Sequence, residues 1–284
     1  MKKILITGGN GQLGNEFKWL SEKNDSFEFV FTDANDLDIT SLDSLMTYFS
    51  VNKFDFCVNC AAYTAVDKAE AEVELSHQIN EFGAENLAKA CSEFGVVLFH
   101  ISTDFVFEGN NFKPYTEADL THPISVYGES KLGGENRIAE VLDQYFIIRT
   151  SWLYSSYGNN FVKTMLRLGE ERDRLNIISD QIGSPTYARD LAEYVLHMIG
   201  AHLGNDFGVY HFSNQGVASW YDFAKQIFDI KNIDVKVSPI PTTDYPTPAK
   251  RPHYSVMDKS KIEKTFGKEI LYWRESLVKC LELL

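Results

Sequence analysis

In the first 150 residues, short apolar runs alternate with segments of helical periodicity. The pattern predicts strands at 3–6, 27–32, 54–60, 95–101 and 145–150, and helices at 12–21, 41–50, 70–93 and 125–142. Strands separated by helices pair in parallel through right-handed crossovers, and the helices then cover both faces of the sheet. The sequence therefore predicts an α/β fold built on a doubly wound, Rossmann-type parallel sheet.

The alternation loosens after residue 150. There the pattern predicts helices at 159–171, 188–200, 218–229 and 273–283, and short strands at 175–178 and 209–212. The prolines within 235–256 favour a loop and an edge strand. We therefore expect a Rossmann domain, 1–155, and a mixed α/β region, 156–284, which partly completes the sheet and partly forms a smaller substrate-binding lobe over the strand edges.

A glycine-rich turn separates the first predicted strand from the first predicted helix. Glycine permits a tight turn and lets the backbone approach a pyrophosphate, while the N–H groups and dipole at a helix N-terminus attract phosphate. The position of the turn predicts dinucleotide binding by Gly8, Gly11, Gln12, Leu13 and Gly14.

Asp33 follows the second predicted strand, where a carboxylate can accept hydrogen bonds from the adenosine ribose of a dinucleotide. A carboxylate repels a 2′-phosphate, so Asp33 favours NADH over NADPH, although the choice between them stays open. Asp38 and Ile39, in the next turn, are expected beside the adenine.

Tyr127 and Lys131 are four residues apart in a predicted helix, so their side chains share a face. An ammonium beside a phenol is expected to lower the phenol pKa and allow proton exchange with a carbonyl or alcohol. Thr103 follows the fourth predicted strand, where its hydroxyl could donate to a substrate carbonyl. The order of glycine turn, Thr103 and Tyr-x-x-x-Lys predicts a catalytic site composed of Thr103, Tyr127 and Lys131.

Composition argues against several classes of partner. Asp and Glu number 40 against 27 Lys and Arg, a formal net charge of -13, so neither nucleic acid nor an anionic membrane is expected as a partner. The apolar run at the start is too short for an export signal or a membrane span. Cys57 and Cys60 lie in an apolar run typical of a buried strand rather than of a zinc or redox site, which indicates a reducing cytoplasm.

The chain resembles the extended short-chain dehydrogenase/reductase family, and within it the reductases that complete dTDP-L-rhamnose synthesis. The resemblance runs from end to end. Beyond the catalytic set, it is carried by Asn59-Cys-Ala-Ala-Tyr-Thr-Ala-Val-Asp-Lys-Ala-Glu70, Arg149-Thr-Ser-Trp-Leu-Tyr154, Gly158-Asn-Asn-Phe161, Asp180-Gln-Ile-Gly-Ser-Pro-Thr186 and Tyr245-Pro-Thr-Pro-Ala-Lys-Arg-Pro252.

The resemblance implies reduction of a dTDP-4-keto-6-deoxysugar, dTDP-4-dehydro-L-rhamnose, with NADH or NADPH. It implies that Tyr127 donates the proton to O4 and that Lys131 holds the nicotinamide ribose. Ala61, Ala62 and Tyr63 would line the nicotinamide side of the cofactor. Thr103, Asp104, Trp152 and Arg251 would bind the substrate, with Trp152 packed on the sugar and Arg251 on the diphosphate.

Several alternatives stay open. A 4,6-dehydratase of the same superfamily is disfavoured because Phe105 stands where such enzymes typically have Glu. Epimerases share Tyr-x-x-x-Lys, related reductases give other stereoisomers, and a non-catalytic regulatory subunit could keep the fold. Some relatives form homodimers through magnesium and carboxylates: Glu16 is a weak match, but Arg189 stands where a second carboxylate is expected. We therefore predict no metal site, leaving magnesium and a homodimer open.

Overall fold

The computed structural model describes residues 1–201 and 204–284. Six parallel strands form its central sheet, in the order β10-β5-β4-β3-β1-β2. They are β1 (Lys2–Thr7), β2 (Phe27–Phe31), β3 (Phe56–Asn59), β4 (Val97–Thr103), β5 (Tyr145–Thr150) and β10 (Gly208–His211). The prediction of a parallel sheet is confirmed, and the region after residue 155 supplies its sixth strand.

Helices cover both faces of the sheet. One face packs against α1 (Gln12–Ser21), α8 (Ala188–Ala201) and α10 (Ser260–Phe266), and the other against α2 (Leu42–Asn52), α5 (Gly83–Phe94) and α6 (Val126–Val141). Side chains alternate across a strand, so Ile4 and Ile6 of β1 enter the first core while Leu5 enters the second. The three consecutive apolar residues of β1 thus reflect burial on both faces, and the sheet is doubly wound.

The predicted helix at 70–93 is wrong as a single element. The chain forms α3 (Val66–Ala69), α4 (Val73–His77), a π-helical turn (Gln78–Phe82) and then α5. A Cβ on Gly134 of α6 would come within 2.3 Å of the carbonyl oxygen of Asn80, so the π turn and α6 pack backbone to backbone. This tertiary contact sets the local geometry, and helical periodicity carries no signal for it.

The remaining elements lie beside the carboxyl edge of the sheet. Short strands β6 (Leu153–Tyr154) and β9 (Thr186–Tyr187) pair with each other, as do β8 (Ile182–Gly183) and β11 (Ala218–Ser219), and β7 (Arg174–Ile178) pairs in parallel with β12 (Lys236–Ile240). Helices α7 (Phe161–Glu171), α9 (Trp220–Lys231) and α11 (Trp273–Leu281) enclose a separate apolar core with them. The sequence did not predict α10, which follows the proline-rich segment.

The division of the chain at residue 155 stays a prediction. Within residues 1–201 and 204–284, no helix is both long enough and apolar enough to cross a membrane.

Candidate active site

A cleft of about 950 Å³ opens at the carboxyl edge of the central sheet. It lies where β1 adjoins β3, the point at which successive connections leave the sheet in opposite directions. Ligands of open α/β sheets bind at such switch points. The cleft brings together the glycine turn, Asp33, the ends of β3 and β4, and the first turns of α6.

The glycine turn forms the floor of the cleft. Gly8 has φ of +63°, and a Cβ there would lie 2.7 Å from the backbone nitrogen of Ala61. A Cβ on Gly14 would lie 2.4 Å from the carbonyl oxygen of Gly8. Gly11 is the N-cap of α1 and offers no capping side chain, so no side chain caps the first N–H groups of the helix, whose first turn lines the cleft. This cradle fits a dinucleotide pyrophosphate.

The other residues predicted to bind the cofactor form the walls of the cleft. The Asp33 carboxylate accepts hydrogen bonds from the backbone N–H groups of Asn10 (3.2 Å) and Ala34 (2.7 Å), which fixes it beside the turn. The Gln12 side chain accepts a hydrogen bond from Asn160 at 2.9 Å and so ties the start of α1 to the segment before α7. The lining also includes Leu13, Asp38, Ile39, Ala61 and Ala62.

Thr103, Tyr127 and Lys131 line the same cleft. Thr103 is the last residue of β4 rather than a residue after the strand, and its hydroxyl contacts the Tyr127 phenol. Helix α6 starts beside it because Ser125 caps the helix, accepting from the backbone N–H of Gly128 at 3.2 Å. One turn of helix then aligns Tyr127 with Lys131. The predicted catalytic residues are therefore brought together.

The expectation that Lys131 lowers the pKa of Tyr127 is wrong. Burial raises the pKa of Tyr127 to about 12, the Thr103 hydroxyl lowers it, and the nearby Asp104 raises it. The phenol therefore keeps its proton at neutral pH. That state suits a group that gives a proton to a substrate, whereas a group that takes one would need the phenolate.

Burial also shifts the pKa values of two other titratable groups in the site, Lys131 and Asp104. Lys131 is 2% exposed, and burial lowers its pKa to about 8 against the raising effects of Glu135 and Cys60. Burial also raises the pKa of Asp104 to about 6, with the Ser255 and Thr103 hydroxyls lowering it. Perturbed groups gathered in one cleft are typical of a catalytic site.

Trp152 projects from the end of β5 into the cleft. Its φ of 48° is unusual for a bulky residue, and its indole stacks on Trp220 with ring centroids 3.5 Å apart. A Cβ on Gly183 would come within 2.6 Å of the Trp152 ring, so only glycine leaves room for the indole there. The sequence predicted Trp152 at the site but gave no signal for the Trp220 that supports it.

Tyr63, Arg251 and Glu16 do not line the cleft. The Tyr63 hydroxyl donates to Glu72 at 2.5 Å. The Arg251 guanidinium forms two hydrogen bonds with Asp67, at 3.0 and 2.8 Å. Tyr63 thus lies beside the cleft rather than in it. The role of Arg251 as a diphosphate ligand stays a prediction, and in this structure Asp67 holds its guanidinium.

Glu16, a residue of α1, is fully buried. Its carboxylate accepts from Arg189 at 2.7 Å and from the Ser155 hydroxyl at 2.6 Å, so a cation already neutralises it. In the described part of the chain, no three His, Cys, Asp or Glu side chains group as metal ligands.

Sequence reasoning missed a buried ion pair beneath the catalytic helix. Glu135 accepts from Ser102 of β4 at 2.5 Å and pairs with Arg149 of β5 at 2.7 Å. Glu135 lies four residues beyond Lys131 and eight beyond Tyr127, so all three share one face of α6. That spacing was the available signal for its role in anchoring the helix to the sheet.

A phosphate cradle under the switch point, with a Tyr–Lys pair and a strand-end hydroxyl at the same edge, defines the short-chain dehydrogenase/reductase class. Within that class, the chain belongs to the family described as the RmlD substrate binding domain, whose model matches residues 1–284.

Similar proteins agree with this assignment. The chain is 40% identical to a dTDP-4-dehydrorhamnose reductase of Aggregatibacter actinomycetemcomitans, over 98% of this chain and 97% of that protein. The crystal structure of such a reductase from Clostridium acetobutylicum superposes with a TM-score of 0.95, at 45% identity over 99% of each chain. The Bacillus anthracis reductase, solved in complex with NADP, gives a TM-score of 0.95 at 40% identity over 100% of each chain.

Proposed function

We propose that the protein reduces the 4-keto group of dTDP-4-dehydro-L-rhamnose with NADPH or NADH, giving dTDP-L-rhamnose. The observation that carries this proposal is the convergence of Thr103, Tyr127 and Lys131 in the cleft that the glycine cradle floors, with the Thr103 hydroxyl in contact with the Tyr127 phenol. Two relatives that are 40% identical over nearly their whole length share the name dTDP-4-dehydrorhamnose reductase, which supports this choice of substrate.

The bound cofactor supplies the hydride that reduces C4. The residues of the chain position the sugar and move the proton. Thr103 donates a hydrogen bond to O4, and Tyr127 gives its phenol proton to the same oxygen as negative charge develops there. Lys131, one helical turn away, stabilises the phenolate that is left. Trp152 offers a flat apolar surface to the deoxysugar, held in place by Trp220 behind it.

Asp104 is part of the proposed sugar-binding surface. Its burial favours the protonated carboxyl at mildly acidic pH, so it can donate as well as accept a hydrogen bond there. Since Phe105 follows it, the chain lacks at that position the acid that a dehydratase would use. This favours simple reduction over elimination of water.

The test is cofactor oxidation with freshly generated dTDP-4-keto-L-rhamnose, compared with a UDP- or GDP-linked keto sugar and with NADPH or NADH. We expect turnover with the dTDP sugar, and a reduced product rather than an epimer. Cofactor binding without oxidation of any keto sugar would favour the non-catalytic regulatory subunit instead.

The role of Tyr127 is tested with Tyr127→Phe, and Tyr272→Phe on the exposed start of α11 is the matched control. Loss of the donated proton should lower turnover by about two to four orders of magnitude while leaving cofactor binding nearly intact. Full turnover in Tyr127→Phe would remove the proton-donor role, whatever the substrate.

A cytoplasmic location is part of the same proposal, and the free thiols of Cys57, Cys60, Cys91 and Cys280 support a reducing compartment. A homodimer and a magnesium requirement stay predictions, to be tested by sedimentation with and without a chelator. Because Arg189 already neutralises Glu16, we expect the chelator to leave the sedimentation unchanged.

A further inference from the structure

A chain of buried polar groups runs behind Lys131, away from the cleft. The Lys131 ammonium lies 3.2 Å from Nε2 of His100, and Nδ1 of that ring lies 3.0 Å from the Asn59 side-chain nitrogen. Asn59 accepts from the Thr7 hydroxyl at 2.7 Å. Thr7, Asn59, His100 and Lys131 are all buried, so these contacts are made without competition from solvent.

The orientation of Asn59 is fixed by the backbone. The Ala61 N–H, which can only donate, points at the Asn59 side-chain oxygen at 3.1 Å. The amide nitrogen must therefore face His100. An amide nitrogen also can only donate, so Nδ1 of His100 accepts this hydrogen bond and carries no proton.

His100 is neutral, because burial and the charge of Lys131 hold its pKa well below the usual value. A neutral imidazole carries one proton, and with Nδ1 accepting, that proton lies on Nε2. The Nε2–H group then points at the Lys131 nitrogen. An ammonium has no lone pair and cannot accept this hydrogen bond, whereas a neutral amine can.

Lys131 keeps a second partner in either protonation state, since it donates to the Ile101 carbonyl at 2.7 Å. The charged and titratable groups that act on it are Glu135 on α6, Cys60 after β3 and His100 on β4. Glu135 and Cys60 favour the ammonium, while burial and the Nε2–H of His100 oppose it.

We propose that His100, fixed by Asn59 as the Nε2–H tautomer, is a positioning residue that favours the neutral amine of Lys131, because only the amine can accept the Nε2–H hydrogen bond. The proposal rests on the proposed function, in which Lys131 acts one helical turn from Tyr127.

The first test measures the pKa of Lys131 directly, by ¹³C NMR of the full chain labelled at the lysine Cε, with Lys131→Met identifying its resonance. His100→Leu removes the donor and should raise this pKa by about one unit, because a hydrogen bond to the neutral form is lost. His100→Gln places an amide N–H near the same point and should keep the pKa close to that of the unaltered protein. A fall, or no change, in His100→Leu would overturn the proposal.

The second test needs no substitution. His211 provides an internal comparison, because its Nδ1 lies 3.2 Å from the Tyr115 carbonyl oxygen and must donate to it. Burial lowers the pKa of His211 to about 3, so both rings stay neutral near pH 7. In ¹⁵N spectra of histidine-labelled protein, the two rings that do not titrate near neutral pH should show opposite tautomers.

If both of these rings carry the proton on Nδ1, the inference fails. Neither measurement depends on turnover. If the proposed substrate is not turned over, the tautomer of His100 and the pKa of Lys131 can still be measured. If those measurements contradict the role of His100, the proposed reductase activity is not affected.

Discussion

Removing the charge of Glu135 should destabilise the protein and loosen its catalytic helix. The side chains of Glu135 and Arg149 are 4% and 6% exposed, and Arg149 meets both carboxylate oxygens, Nε at 3.0 and 3.2 Å and Nη2 at 2.7 Å. Substitution Glu135→Gln keeps the volume and one acceptor for Ser102 but leaves a guanidinium buried without its counter-charge.

The size of the effect follows from that burial. Breaking a buried pair by removing one partner costs about 3–5 kcal/mol, and we expect about 3 kcal/mol because the amide retains some hydrogen bonds. This is a large part of the stability of an ordinary domain, about 5–15 kcal/mol. Since Glu135 also raises the pKa of Lys131, the variant should lower that pKa further.

Urea unfolding followed by tryptophan fluorescence measures the loss. The matched control is Glu171→Gln, which breaks the Arg167–Glu171 pair on α7, with side chains 59% and 50% exposed. An exposed pair on a helix contributes only about 0.3–0.5 kcal/mol. A Glu135→Gln loss no larger than that of the control would refute the reasoning.

A double variant separates the ion pair from simple packing. Glu135→Leu combined with Arg149→Met removes both charges at once. The free energy of unfolding of this double variant should lie within about 1 kcal/mol of that of the unaltered protein. Stability below that of Glu135→Gln would mean that the charges themselves are not the cause.

Three further predictions concern the cleft. Gly14→Ala should weaken NADPH binding at least about tenfold in calorimetry, because its Cβ meets the backbone, while Gly200→Ala, with open space around it, should not. Asp104→Asn should raise the unfolding free energy at pH 7 by up to about 3 kcal/mol. Its raised pKa means that stability is lost as pH rises through about 6, so the gain should vanish below the ordinary Asp range; a constant gain would contradict this. Gly183→Ala should displace Trp152 and raise KM for the sugar nucleotide in steady-state kinetics; an unchanged KM would argue against that role.

Local patterns were enough to predict residues that the structure brings together in one cleft. The spacing of Gly8, Gly11 and Gly14 after an apolar strand predicted the turn that now floors the cleft. The four-residue spacing of Tyr127 and Lys131 predicted a shared helix face. Both predictions depend on contacts within a few residues along the chain, which is the range over which sequence periodicity carries information.

Predictions that required knowledge of distant partners were less successful. Tyr63 and Arg251 belong to the expected motifs, yet Glu72 and Asp67 hold their side chains beside the cleft rather than in it. The direction of the Tyr127 pKa shift was wrong for the same reason. Desolvation by the surrounding fold is the largest cause of the shift in the Tyr127 pKa, and burial cannot be read from a four-residue spacing.

The amino-acid sequence by itself determined the class of fold, the glycine turn at the cleft and the shared helix face of Tyr127 and Lys131, because each follows from local residue type and period. Only the tertiary structure decided that Glu135 and Arg149 anchor the catalytic helix, that Trp220 supports Trp152, and that His100 faces Lys131. Those contacts join residues 14, 68 and 31 positions apart in the chain. Such pairs meet only when the sheet and its helices have packed, since the free energy that orders them comes from burying both partners together.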